Sequence, residues 1–197
     1  YVEFERVAVV APRLREERLP REDCRWLKPH PRWSWLFRRV PCREDDLSGV
    51  TFVITSGTLM DLRAYRRIGP MDEKLFIDYI DHDYCLRARN LGYEILVSYR
   101  AVLLHNLGAK RRVEVAGRSL RPTFHSEIRH YYMARNRILM WRRYARRFPH
   151  WWLFDACFGV LNVVRVLLAE DKRTAKLAAM LRGIWHGLLG RTGPMPP

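Results

Sequence analysis

At 197 residues the chain is long enough for one domain with a proper core and a small appended piece, and too short for two full domains. Hydrophobic residues make up 48% and charged residues 29%, which excludes a disordered polypeptide. The balance of 36 Lys and Arg against 21 Asp and Glu gives a net charge of +15, which favours nucleic acid, an anionic membrane face or phosphorylated substrates and by itself chooses none of them.

In chain order, residues 4–11 form a β-branched run closed by Pro12 and read as a buried strand. The chain starts at Tyr1, without Met, inside that strand-like run; it has acids where a basic leader would sit, and further residues are expected upstream. Residues 13–46 hold many prolines, arginines and tryptophans with little periodicity, and the expectation is a long excursion, mostly loop. Residues 50–57, VTFVITSG, read as a second strand, and LMDLRAYRRIG after it as a short helix closed by Gly69 and Pro70. A helix is expected over residues 80–90, stopped by Gly92, with two short strands after it over 94–99 and 101–105. A looser basic stretch over 106–122 leads to a strongly periodic helix from Glu127 to about Arg147. A final amphipathic helix is expected over 175–189, followed by a frayed or disordered tail, GRTGPMPP.

Residues 151–169, WWLFDACFGVLNVVRVLLA, are apolar and long enough to be weighed as a membrane span. Asp155 and Arg165 each oppose a lipid-centred position by roughly 3 kcal/mol. Asp155 and Asn162 share one helical face, and Trp151 and Trp152 sit beside the basic WRRYARRFPH, a combination that suits a helix lying in the membrane interface. Tertiary or dimer packing and a true span are the other two readings. The four cysteines, Cys24, Cys42, Cys85 and Cys157, form no CxxC pair and read as reduced structural thiols.

The chemistry-bearing stretch is FIDYIDHDYCLRARNLGY, residues 76–93, in which Asp78, Asp81 and Asp83 sit among large apolar neighbours. A helix starting near Ile80 cannot aim all three acids at one point, so their roles must be divided. An aspartate in a helical first turn feels the positive end of the helix dipole, which favours the carboxylate, a proton acceptor or cation ligand. The bland alternative for any one of them is helix capping on a basic surface. His105 ends an apolar strand-like run, AVLLH, where α/β sheets present functional groups; it reads either as a metal ligand or as a hydrogen-bonded structural histidine.

Taken together, Ser56 and Gly57, Gly69, Asp72 and Glu73, residues 76–83, Leu86 and Arg87, Gly92 and Tyr93, then His105 and Gly108, resemble the family 2 inverting glycosyltransferases, and within them the bacterial rhamnosyltransferase-like branch. The resemblance extends to Tyr131, Tyr132, Arg135 and Asn136, matching a YY..RN pattern, and to the closing GIWHGLLGRTG; residues 13–46 and the helix after Trp151 match loosely.

The resemblance implies an α/β fold, the C-terminal portion of a GT-A nucleotide-sugar transferase sandwich: residues 1–147 as a partial transferase domain and 148–197 as a helical, membrane-associating extension. It implies Asp81 as general base with Asp83 supporting it, and Ser56, Gly57 and Asp78 at the acceptor. It also implies Arg87 and Arg135 pairing with acids or phosphate, and His105 as a ligand to a divalent metal, Mn or Mg. The donor would be a nucleotide sugar, with rhamnose from a deoxythymidine diphosphate carrier as the branch's usual choice. The acceptor would be a saccharide or a polyprenyl diphosphate-linked saccharide, in cell-surface polysaccharide synthesis at the cytoplasmic face of the membrane. A homodimer and an anionic membrane surface complete the expected partners.

Two departures stand out. The nucleotide-binding half and the metal-gripping DxD of the family have no counterpart before Tyr1, so this chain alone is expected to be inactive. The QxxRW signature of processive members is also absent, because residues 137–140 before Trp141 are RILM, which favours single-sugar transfer. The competing class is a non-catalytic basic module for membrane or nucleic acid, supported by the Trp and Arg interleaving of CRWLKPHPRWSWLFRR; no RRM, KH or helix-turn-helix signature accompanies it.

Overall fold

A computed structural model describes residues 6–15, 25–41, 47–104, 113–115, 118–120 and 124–196. The chain is a mixed α/β protein of two compact units, one made of residues 1–72, 80–106 and 147–151, the other of 73–79, 107–146 and 152–197. These units do not follow the single cut after residue 147 that the resemblance implies.

The first unit holds strands β1 (Val7–Arg15), β2 (Arg25–Pro29), β3 (Phe37–Pro41), β4 (Leu47–Gly49), β5 (Leu59–Met60) and β6 (Glu94–Leu104), with helices α1 (Leu62–Ile68) and α2 (Ile80–Asn90). Four strands make one mixed sheet in the order β4-β6-β1-β5, with β1 and β6 parallel and the edge strands antiparallel to them. The central pair is β-branched and buried, and α2 packs Tyr84, Cys85 and Ala88 into the same core as Val9, Ile95 and Val97. Burial pushes the Cys85 thiol up to about 12, so it is an inert structural thiol.

Several expectations need correction. Pro12 does not close β1: the strand continues to Arg15, and the register slips between Pro12 and Arg13, where residues 99–101 of β6 face no partner. Proline gives the ladder no N–H, and a bulge at that point accommodates it. The same bulge makes the two expected strands over 94–105 one strand, β6, whose last residue is Leu104. Residues 13–46 are not mostly loop, since β2 and β3 pair as a hairpin, Arg25 with Pro41 through Pro29 with Phe37. Residues 50–54 do not form a strand, because their donors split: the Val50 amide reaches the Ile95 carbonyl (2.8 Å) and the Thr51 amide the Leu27 carbonyl (2.9 Å).

Helix α1 starts where Asp61 accepts from the amides of Arg63 (2.6 Å) and Ala64 (2.9 Å), and it ends at Gly69, whose φ of +90° suits only glycine well. Helix α2 spans the expected residues and is followed by Gly92 at φ +80°.

The second unit holds a 3₁₀ turn (Glu73–Leu75), a small ribbon of β7 (Val113–Val115) and β8 (Arg118–Leu120), helix α3 (Glu127–Tyr144), most of α4 (Pro149–Ala169) and α5 (Arg173–Leu188). The ribbon lies in the stretch expected to be looser. Helices α3 and α5 pack backbone to backbone: a Cβ at Gly183 would strike the Tyr131 carbonyl oxygen, and one at Gly187 would lie 2.7 Å from that of Arg135. Glycine to alanine in an exposed helix interior is normally stabilising. Here the sign reverses, and Gly183→Ala is expected to destabilise the unit by about 3 kcal/mol, read as a lower urea midpoint.

The tail is docked rather than frayed. The Gly193 amide donates to the Lys74 carbonyl (2.7 Å), the Met195 amide donates to the Tyr132 hydroxyl (2.7 Å), and Arg135 donates to the Gly193 carbonyl. Its fixed position depends on partners 58 residues or more away, which local composition does not register.

Candidate active site

Three residues of the acidic stretch hold left-handed backbone angles: Phe76 (φ +67°), Asp78 (+60°) and Tyr79 (+65°). Each costs about 1–3 kcal/mol for a residue with a side chain, so the surroundings must fix this segment. Within the second unit they do. Asn136 shares its amide donors among the carbonyls of Leu75 (2.8 Å), Ile77 (2.7 Å) and Asp78 (3.2 Å). Its own oxygen accepts from Arg135 Nε (3.0 Å), and Arg135 also reaches the Leu75 carbonyl (3.0 Å). Tyr132 stacks on Phe76 with ring centroids 4.9 Å apart, and Tyr131 shares a 2.7 Å hydrogen bond with His186. All four residues of the YY..RN pattern are thus occupied in holding backbone and packing helices.

This arrangement corrects one expectation. Arg135 is fully buried, with carbonyl, amide and ring partners, and presents no face to a phosphate. Asp78, expected at the acceptor, is gripped by Arg129 through both oxygens (2.9 and 3.1 Å). The segment ends at Tyr79, whose hydroxyl donates to Asp155 (2.6 Å); burial, then the nearby Asp155 charge, pushes that phenol well above its ordinary range. Asp155 also accepts from Arg137 Nε (3.0 Å) and Trp141 Nε1 (2.7 Å). Beside this network lies a groove of about 210 Å³ between α3, α4 and α5, lined by Met133, Ile138, Gly159, Val163, Met180 and Ile184 among others.

The other acids belong to the first unit, where three successive residues of α2 are held by three different parts of the structure. Asp81, half-buried in the first turn, accepts from Thr55 Oγ1 (2.9 Å). The His82 ring lies against Phe52 (centroids 3.8 Å apart) and takes a hydrogen bond at Nδ1 from Trp151 Nε1 (3.2 Å). Asp83, 1% exposed, pairs with Arg87 Nε (2.8 Å). Asp83 is thus buried and committed to Arg87.

Arg87 pairs with an acid, as expected, and its other donors go to the carbonyls of Ile68 (2.9 Å) and Pro70 (2.8 Å), clamping the end of α1. Ser56 and Gly57 form the turn after Thr55, with Gly57 at φ +68°; a Cβ there would lie 3.0 Å from Leu103. Thr55 therefore ties the expected acceptor turn directly to Asp81. His150, buried and sharing a 3.0 Å hydrogen bond with Thr51, is pushed down to about 4 by burial and by Arg89.

His105 and Gly108 lie outside the described residues, as do Cys24 and Cys42. Among the described residues no group of three or more His, Cys, Asp or Glu side chains is placed to hold a metal ion, and His105, the expected ligand, is not among them, so no step is routed through a cation.

Sequence reasoning missed His82, Arg129 and Tyr79. The Asp155 network had one signal, a carboxylate inside an apolar run, which implies buried donors to satisfy it.

No family model matches the chain, and no solved structure matches it. The dTDP-rhamnosyl transferase RfbF of Shigella flexneri is 37% identical to it over 144 residues, an alignment that takes in 71% of this chain and 46% of that protein. The chain thus spans about half the length of this curated relative.

Proposed function

We propose that the chain is part of a glycosyltransferase that moves a single rhamnose from a deoxythymidine diphosphate donor to a saccharide or polyprenyl diphosphate-linked saccharide, with inversion. The observation that carries the reaction class is the 37% identity to a protein named a dTDP-rhamnosyl transferase. The geometry adds a candidate base. The Asp81 carboxylate takes the proton of an acceptor hydroxyl while that oxygen bonds to the anomeric carbon; the bond to the diphosphate oxygen breaks and the nucleoside diphosphate leaves with its electron pair. The Thr55 hydrogen bond supports this role by fixing one carboxylate oxygen and placing the Ser56 and Gly57 turn beside it. Asp83, Arg87 and His82 hold the base in register and touch no substrate.

The test is calorimetric titration of dTDP and dTDP-rhamnose, with manganese, into this chain and into the longest polypeptide its reading frame encodes. Micromolar binding confined to a longer polypeptide, with transfer of one sugar per acceptor, is the expected result. Failure of dTDP to bind either form, together with tight, salt-dependent binding of single-stranded DNA, would replace this reading with that of a basic binding module.

A further inference from the structure

Helix α4 has its polarity reversed from that of a helix facing water. The side it turns into the second unit carries Asp155 (2% exposed), Asn162 (3%) and Val166 (0%), while the opposite side leaves Val160 (64%), Leu161 (52%) and Leu168 (48%) uncovered. Helix α5 adds Leu181 (67%), Trp185 (60%) and Leu188 (55%). Scattered exposed leucines are ordinary, but a row of apolar residues along one side of α4, with more on α5 across the groove the two helices line, marks a surface that something apolar covers. From Trp141 onward the chain has ten Lys and Arg and three acids. Two of those acids, Asp155 and Glu170, are buried, and the third, Asp171, is bonded to Lys176 (2.7 Å). The exposed charge of this segment is therefore cationic.

We infer that the outward faces of α4 and α5 in the second unit are a docking surface for an anionic lipid bilayer. An apolar face on a cationic segment matches acyl chains beneath anionic headgroups, and the exposed Trp185 suits the boundary between them. A second copy of the chain is the poorer fit, since its arginines would face these arginines. Helix α4 is long and apolar enough to cross a membrane, yet the bonds of Asp155 to Tyr79, Arg137 and Trp141 hold one side of it against protein, so it lies on the bilayer instead. The expectation that Asp155 and Asn162 share a polar face holds, but that face turns inward. The inference uses these two helices and the charge of the segment from Trp141 onward, and it stands whether or not the chain belongs to a sugar transferase.

The test is flotation of the full chain with vesicles of phosphatidylcholine plus phosphatidylglycerol and with phosphatidylcholine alone, followed by tryptophan emission. Partition into the anionic vesicles, weakened by high salt and accompanied by a blue shift, is expected. A Leu161→Glu, Leu168→Glu double variant with unchanged circular dichroism should lose about a hundredfold in partition, because both positions lie on the exposed side of α4. A chain that stays with the soluble fraction in both cases overturns the inference, and so does equal partition into neutral vesicles. So, too, does a dimer in sedimentation that the double variant abolishes, which would assign the face to a second copy.

Discussion

Asp155→Ala is expected to lower the unfolding free energy of the second unit by about 3–5 kcal/mol, the range for removing one partner of a buried charge pair. The carboxylate is 2% exposed and accepts from the Tyr79 hydroxyl, Arg137 Nε and Trp141 Nε1. Its loss leaves a guanidinium and two neutral donors buried without their acceptor. Arg137 Nη2 already lacks a hydrogen-bond partner among the described residues, so that cation has little else to turn to. The comparison is with Tyr79→Phe, which removes one neutral donor and should cost about 1 kcal/mol. Urea unfolding midpoints at constant m separate the two. Adding Arg137→Met to Asp155→Ala should recover part of the loss, because the orphaned charge disappears with its side chain. If Asp155→Ala leaves the midpoint unchanged, the network does not hold α4, and the reversed polarity of that helix loses its explanation.

The parts of this fold that could be read in advance are those set by near neighbours. Helix α1 carries its stop signal in Gly69, and α2 ends where Gly92 takes a positive φ. Long-range placement was illegible. The donors of Val50 and Thr51 go to partners 45 residues later and 24 residues earlier in the chain, Ile95 and Leu27, so a strand-like composition did not give a strand. The same division runs through the candidate site. The position of Asp81 in the first turn of α2 follows from local pattern, whereas the fates of three other charges do not. Asp78 is committed to Arg129, which is 51 residues away, and Arg135 to carbonyls 58 to 61 residues away. Arginine reads as a phosphate ligand only while it is exposed; once buried, its five donors become a bracket for carbonyls, and which of the two it is depends on the fold.

Asp81→Asn, in the longest polypeptide the reading frame encodes, is expected to reduce sugar transfer about 10³-fold while leaving dTDP affinity and the unfolding midpoint unchanged. Asparagine keeps the shape of the side chain and an oxygen to accept from Thr55 Oγ1, so the turn bearing Ser56 and Gly57 stays in place. What it loses is the capacity to take the hydroxyl proton as the new glycosidic bond forms. The control is Asp83→Asn, two residues on, where the buried carboxylate answers to Arg87. That change should cost stability, with a lower midpoint, because the Arg87 clamp on the carbonyls of Ile68 and Pro70 is left with an unneutralised charge. Equal losses of stability in both variants would make Asp81 another bracket of the fold. Loss of transfer at Asp81 with an intact midpoint, set against loss of the midpoint at Asp83, separates the group that handles the proton from the one that holds it in position.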